Sequence, residues 1–492
     1  MMRHIFHSLS HSLSHSLSHL LSLSHSLSQL LTSRPTLKKI INNISWLFLD
    51  KVVRMGVGLF VTAWIARYLG PDQYGLWNYA IAFTALFSAF STLGLDSIVV
   101  RELVKQPEKT NELLGTSFVL RLIGAFIAFV LSITTAFIIG TKDFLTLSLI
   151  ALSAGGFIFQ AFLTIDYFYQ AHIMSRYTVW AQNIAFLIMS AVKIGLIYAH
   201  ASLLAFAVAG LIEIILGSAF LVGFYIYQST SHTPSHSRLT SHVSRFTSHV
   251  SPSPSHSLPL ISQWHFSLQT AISLLKDSWP LILSGIAIMI YMRIDQVMLK
   301  MMLDDRAVGL YSAAVKLSEI WYFIPVLISQ SAFPSIINAK KVSEELYYAR
   351  LQKLYDLMVW LAIAIALPIT FLSNWIITLL YGVQYIEAAG VLKIYIWAGI
   401  LVFWGVARYK WTLNENLQAY ETIIDIVGAL SNIILNYILI PHYGTSGAAY
   451  ATLLSYFIAS VITSIFIKQY HISLRMYLES LLLPLRLMRD KG

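Results

Sequence analysis

"LGPDQYGLWNYA", residues 69 to 80, returns in altered form as "LDDRAVGLYSAA", residues 303 to 314. The copies align without gaps: Leu69 falls on Leu303, Gly75 on Gly309, Leu76 on Leu310, Trp77 on Tyr311 and Ala80 on Ala314. Each joins one long apolar run to the next. Twelve such runs lie at roughly 43–66, 76–98, 115–139, 144–168, 179–199, 202–227, 279–300, 308–333, 356–380, 388–407, 419–440 and 446–467. A hydrocarbon core of ~30 Å takes about 20 residues of helix, so each run is long enough to cross. With no water to bond the backbone, apolar runs of this length must be helices. Six spans separate the two copies, an even number, so both loops face the same side. The sequence thus predicts an all-α polytopic membrane protein. Its about 12 transmembrane helices form two parallel six-helix lobes around a central cavity, related by an axis along the membrane normal.

Composition agrees. The 492 residues are 57% hydrophobic and only 11% charged, with a mean hydropathy of +0.68; soluble chains carry roughly 25% charged residues. The 12 Trp, 26 Tyr and 27 Phe fit aromatic belts at two interfaces. No cysteine is present, which excludes a disulfide framework, thiolate metal sites and a Cys nucleophile. The net charge of +10 reads as loop charge that sets orientation, not as a nucleic-acid surface. With an inside N-terminus, 22 Lys and Arg fall on inner loops and tails, Arg408 among them, and 4 on outer loops (Arg67, Lys142, Lys300 and Arg306). Both termini are therefore expected in the cytoplasm, with the chain in the cytoplasmic (inner) membrane.

Five regions follow: a His/Ser-rich tail (1–40), an N-lobe (41–228), a cytoplasmic linker (229–277), a C-lobe (278–468) and a basic tail with an interfacial helix (469–492). Residues 7–28 repeat "HSLS", and 231–257 are similar in flavour. His7, His11, His15 and His19 have the i, i+4 spacing of a metal pair, yet no acidic or thiol ligand accompanies them. Such Ser/His/Pro density favours disorder, and no metal site is expected.

The informative residues are charges inside spans, each costing ~2.5–3.5 kcal/mol at the bilayer centre. The remaining seven cations sit there: Lys51, Arg54, Arg121, Lys193, Arg293, Lys316 and Lys393. In the first span Asp50 and Arg54 are i, i+4 and can pair, leaving Lys51 as surplus positive charge. In the seventh, Arg293 and Asp295 point about 200° apart around the helix, so each needs a partner elsewhere. Lys316 and Glu319, i, i+3, are expected to pair locally. Arg121 and Lys193 are single cations, Arg121 close enough to the cytoplasmic end to snorkel. The other reading of all these charges is interhelical ion pairing, for which Asp96, Asp166, Glu213 and Asp425 are available carboxylates. Lys51, Arg54 and Arg293 stand in the opening spans of the two halves, where lobes meet. They are read as lining a wet cationic cavity suited to phosphate, with Arg121 and Lys193 as further substrate-binding candidates. Pro325 and Pro368 are candidate flex points or static kinks.

No HExxH, GxSxG or GK[ST] phosphate loop is present, and the outer loops are short, so an enzyme is not expected. With these residues in view, "ARYLGPDQYGLWNYA" (66–80), "LGLDSIVVREL" (93–103), "IDYFYQAHIMSRY" (165–177), "RIDQVMLKMMLDDRAVGLYSAAVKLSE" (293–319) and "NIILNYILIPHYGTSGAAYATLLSYF" (432–457) resemble the Wzx-type polysaccharide-unit flippases. These belong to the multidrug/oligosaccharidyl-lipid/polysaccharide exporter superfamily. The resemblance, over about residues 41 to 468, implies movement of undecaprenyl-diphosphate-linked oligosaccharide across the membrane by alternating access, for O-antigen or exopolysaccharide synthesis. It implies that Arg54 matches the family's first-helix arginine that holds the diphosphate, with Arg293 its counterpart. No cofactor is implied beyond a coupling ion, H+ or Na+, for which Asp50 and Asp295 are the candidate carboxylates. The implied partners are the lipid-linked oligosaccharide, the bilayer and polysaccharide polymerase or assembly proteins. Two other readings are a multidrug or cation exporter of the same superfamily, and a membrane-embedded synthesis enzyme or scaffold.

Overall fold

The computed structural model describes residues 35–231 and 261–489; the "HSLS" tract with its histidine spacing, and nearly all of the second tract, lie outside them. The first half comprises α1 (Pro35–Ala85), α2 (Ser88–Thr92), α3 (Leu95–Lys105), α4 (Thr110–Ile138), α5 (Phe144–Gln160), α6 (Thr164–Ala171), α7 (Arg176–Tyr198) and α8 (Leu203–Ser231). The second comprises α9 (Leu268–Met302), α10 (Asp305–Glu319), α11 (Phe323–Lys340), α12 (Glu344–Tyr381), α13 (Ala388–Tyr395), α14 (Ala398–Asn414), α15 (Gln418–Phe457) and α16 (Thr463–Phe466). Two short helices, α17 (His471–Leu481) and α18 (Leu483–Arg489), end the described chain. Among the described residues there is no strand.

Among the described residues, nine helical stretches are long and apolar enough to cross a membrane, and a pair bent by 48°, Val53–Ala85 with Ser88–Lys105, makes a tenth. The sequence reading has twelve. The difference lies in two long helices that each cover more than one expected span, and both are broken at a glycine. In α1 it is Gly70 (φ 74°, ψ 167°), followed by Pro71; in α15 it is Gly444 (φ 58°, ψ −135°), three residues after Pro441. Positive φ is open to glycine at little cost, and proline cannot continue the ladder of hydrogen bonds, so both pairs mark places where the chain turns. Of the two expected flex points, Pro325 sits in the first turn of α11, just after a 3-10 turn at Ile320–Tyr322, whereas Pro368 lies inside the unbroken α12.

The two sequence repeats pack against each other. A Cβ placed on Gly75 would stand 1.7 Å from the carbonyl oxygen of Asp305 and 2.8 Å from the nitrogen of Gly309; one on Gly309 would stand 2.0 Å from the carbonyl oxygen of Pro71. The glycines that the alignment equates are thus the residues at which the backbones of α1 and α10 touch. Small residues permit such an approach, and helix contacts in lipid depend on it. Around the crossing Tyr74, Ala80, Val308, Ala313 and Ala314 are fully buried.

Helix α9 bridges the halves. Its first part packs on α2 to α4, where a Cβ on Gly94 would come within 2.8 Å of Leu281 and 3.0 Å of the Ser278 carbonyl; its second part packs on α15, with Tyr291 against Gly428. The helix starts at Leu268, within the stretch assigned from sequence to the linker. The cause is local: the preceding segment lies across α4. A Cβ on Gly115 would meet the His265 backbone at 2.5 Å, and the Ser267 amide donates to Thr116 Oγ1 at 3.1 Å. Ser267 then caps α9, its hydroxyl accepting from the Thr270 amide at 3.4 Å.

Candidate functional site

In α1 the expected i, i+4 pair forms: Arg54 Nε donates to Asp50 Oδ1 at 2.8 Å. Asn183, on the neighbouring α7, donates to the same oxygen at 2.9 Å, and the Arg54 guanidinium lies 5.5 Å from the centre of the Phe186 ring. One carboxylate oxygen therefore absorbs a single nitrogen of the fork. The terminal nitrogens of Arg54 have no hydrogen-bond partner among the described residues, and Lys51 is exposed without an ion pair among them. These groups open on a cleft of about 630 Å³ between α1 and the α6–α7 turn, lined also by Asp166, Gln170 and Thr178. Gln170 donates to Asp166 at 2.7 Å, and the Thr178 hydroxyl donates to its other oxygen. Asp166 is thus held by neutral donors from α6 and α7, while Lys51 and Arg54 stay available. The volume falls within the ~300–1,000 Å³ of small-molecule sites.

In the second half Arg293 and Asp295 do face opposite ways. Arg293 Nη2 donates to Glu319 Oε2 on α10 at 3.4 Å. Asp295 is 2% exposed and accepts from three neutral groups: Tyr311 at 2.5 Å, Asn436 at 2.6 Å and Thr452 at 2.6 Å. Among the described residues it has no cation within ion-pair distance, so α10 and α15 supply this carboxylate with two hydroxyl donors and one amide alone. The local pair expected of Lys316 and Glu319 does not form. Glu319 turns to Arg293, and Lys316 reaches across to the first half, donating to the Tyr74 hydroxyl at 2.9 Å. Arg293 is not among the residues that line the cleft around Arg54.

The remaining candidates hold helices together. Arg121 is 3% exposed; its Nη1 donates to the Tyr167 hydroxyl at 2.6 Å and lies 3.7 Å from Asp96. Lys193 on α7 donates to Glu213 on α8 at 2.6 Å. Arg408, counted above with the inner loops, is instead inside α14 and 4% exposed. Its fork meets both oxygens of Glu421 on α15 at 3.2 Å, and its Nη1 donates to the Ser460 carbonyl. Counting charges near a span end misplaces it because its partner lies 13 residues away, across a turn. In that turn Glu415 is partly buried, which raises its pKa, but hydrogen bonds from Lys340 and Tyr347 outweigh this and hold it below the usual carboxylate range. Removing one partner of a buried bidentate pair leaves an uncompensated charge, so Arg408→Ala or Glu421→Ala should destabilise the protein by about 3–5 kcal/mol. The double variant Arg408→Met/Glu421→Leu should recover most of that loss, as measured by thermal unfolding in detergent.

Sequence reasoning did not place Asp166, Gln170 and Thr178 beside Arg54. Two of them stand in "IDYFYQAHIMSRY", whose polar residues follow an apolar run and so signal a turn at the membrane edge; the third follows directly. Their meeting with α1 depends on how α6 and α7 fold back.

Residues 40–340 match the family described as "Polysaccharide biosynthesis protein". The probable flippase AglR of Haloferax volcanii is 29% identical over 189 residues, which are 35% of this chain; the match spans only 37% of AglR's own length. The capsular polysaccharide biosynthesis protein CapF of Staphylococcus aureus is 20% identical over 443 residues, 87% of this chain and 100% of that protein. Among solved structures, the lipid II flippase MurJ in its inward closed conformation superposes with a TM-score of 0.62 at 16% identity, covering 92% of this chain and 93% of MurJ. An inward-facing multidrug resistance MATE family transporter superposes with a TM-score of 0.62 at 13% identity, covering 85% of this chain and 95% of that one. These structural likenesses establish the fold: an all-helical polytopic membrane protein.

Proposed function

We propose, from the premise that this chain belongs to the polysaccharide biosynthesis protein family, that it is a flippase for polyprenyl-diphosphate-linked oligosaccharide. The observation that carries the reading is the cleft at α1, where Lys51 and the free end of the Arg54 fork stand beside a space of about 630 Å³. A diphosphate carries its charge on the terminal oxygens of two tetrahedral phosphorus centres, which the planar Arg fork can meet two at a time and a Lys point charge can pair with. Relatives named for flipping or for capsular polysaccharide synthesis support the same substrate class. In this reading the lobes 41–228 and 278–468 rock against each other, and the polyprenyl tail stays in lipid. Arg293 takes up the diphosphate on the C-lobe side after Glu319 releases it. The protein sits in the cytoplasmic membrane with both termini inside, and works with polysaccharide polymerase or assembly proteins. Export of an anion is favoured by an inside-negative potential, at ~2.3 kcal/mol per charge per 100 mV.

The deciding experiment places the purified full chain in liposomes with a lipid-linked oligosaccharide. Movement of the sugar across the bilayer without a new covalent product supports the reading; a new product without movement overturns it. Asp295 is the proposed coupling carboxylate, since neutral donors surround it and a proton or Na+ would restore charge balance there. Asp295→Asn should fold normally, because the amide keeps much of the hydrogen bonding, yet transport driven by an imposed H+ or Na+ gradient should lose its response to that gradient. An unchanged gradient response assigns coupling elsewhere.

A further inference from the structure

Helix α17 follows the last membrane-crossing segment by only four residues, from Phe466 to His471. Four residues reach at most about 14 Å, so α17 begins near a membrane surface. Its partner places it more closely. Gln352 on α12 donates to the Met476 carbonyl at 3.0 Å and to Ser480 at 2.9 Å, Trp360 donates to the Ser480 carbonyl at 2.9 Å, and Tyr477 stacks on Trp404 at 4.1 Å. Helix α12 has 38 residues, or about 57 Å. A ~30 Å hydrocarbon core uses about 20 of them, counted back from Tyr381 to roughly residue 362. Residues 352 to 360, which hold α17, thus fall in the ~3–15 Å just beyond the core, at headgroup depth.

The leucines of α17 and the start of α18 that turn away from α12 form an apolar row. Leu478, Leu481 and Leu482 are between 38% and 53% exposed, and Leu485 on α18 is 63% exposed. In water this row would be an unfavourable stripe; at headgroup depth it meets acyl chains. Cations flank it: Lys468 at the entry, Arg475 with its side chain 80% exposed, and Arg486, also held by Asp356. Arg475 pairs with Glu479 at 2.8 Å, an exposed pair of little strength.

We propose that α17 and the start of α18 form a membrane-surface anchor that buries this leucine row in the inner leaflet and binds anionic phospholipid headgroups through Lys468 and Arg475. Helices of this kind lie ~5–10 Å into the headgroup and acyl boundary and sense lipid charge. The anchor is independent of the substrate assigned to the cleft, since it rests on geometry outside it.

The absence of cysteine allows a direct test on the full chain. Leu478→Cys carrying a nitroxide label is reconstituted in vesicles of phosphatidylcholine, with and without 30% phosphatidylglycerol (about one lipid in three, enough to set surface charge). Phe126→Cys, 62% exposed on α4, serves as the lipid reference, and Lys142→Cys, in the α4–α5 turn, as the water reference. The Leu478 label should be reached by oxygen nearly as well as Phe126, and be severalfold less open than Lys142 to a water-soluble nickel relaxant. Phosphatidylglycerol should move it deeper, and Lys468→Glu/Arg475→Glu should abolish that move. Nickel access equal to that of Lys142 overturns the anchor. Shielding from both reagents also overturns it, in favour of a protein partner; equal depth in both vesicles removes the anionic-lipid assignment.

Discussion

Arg54→Ala should lower the rate of oligosaccharide transport in liposomes at least tenfold while leaving the protein in the membrane. The Arg54 fork has one nitrogen on Asp50 at 2.8 Å and its terminal nitrogens toward the cleft. Each hydrogen bond to a charged group contributes about 1.5–3 kcal/mol, and about 1.4 kcal/mol is a factor of ten. Loss of one such bond to a diphosphate therefore predicts about a 10- to 100-fold effect, and loss of two about 100-fold or more. Truncation also leaves Asp50 with Asn183 as its remaining donor, so a fall in protein level could come from an unpaired carboxylate. Asp50→Asn/Arg54→Ala separates the two: it should restore the level and not the transport. Arg54→Lys keeps the charge, loses the fork and should fall in between. Transport by Arg54→Ala at the wild-type rate would mean that the cleft does not hold the diphosphate.

The largest effect on stability should come from a single methyl group. Gly75→Ala places a carbon 1.7 Å from the Asp305 carbonyl oxygen, and Gly309→Ala one 2.0 Å from that of Pro71. Both neighbours are backbone, which cannot rotate away, so α1 and α10 must separate by more than about 1 Å along a buried face. Overpacking costs about 1–3 kcal/mol where side chains can give, and more where they cannot. Each alanine should therefore lower the melting temperature in detergent clearly, and Gly75→Val should fail to accumulate. The double alanine variant should cost less than the two singles together, because one separation relieves both clashes. Gly155→Ala is the control: nothing lies within 4 Å of its Cβ position, and added helix propensity of up to about 1 kcal/mol makes it neutral or stabilising. A Gly75→Ala protein that melts like the wild type would show that the crossing adapts freely.

Much of the fold could be read locally. Hydropathy depends on neighbours in the chain, so runs such as 356–380 announce themselves. The Asp50–Arg54 pair and the opposed directions of Arg293 and Asp295 also follow from helix geometry alone. The partners of the other charges do not. Lys316 passes over Glu319, three residues away, to meet Tyr74, 242 residues distant. Arg121 finds Tyr167 and Asp96 on two further helices.

Sequence by itself determined that the chain is a helical membrane protein, that Gly75 and Gly309 correspond, and which spans carry charge, because these are properties of composition, of local repeats and of a fixed 3.6-residue period. Tertiary structure alone decided that the corresponding glycines touch, that Asp166 and Thr178 share a cleft with Arg54, and that Arg408 is buried. Those outcomes depend on the rotation and register of helices packed in three dimensions, and a turn of 100° per residue makes a small shift enough to exchange one partner for another.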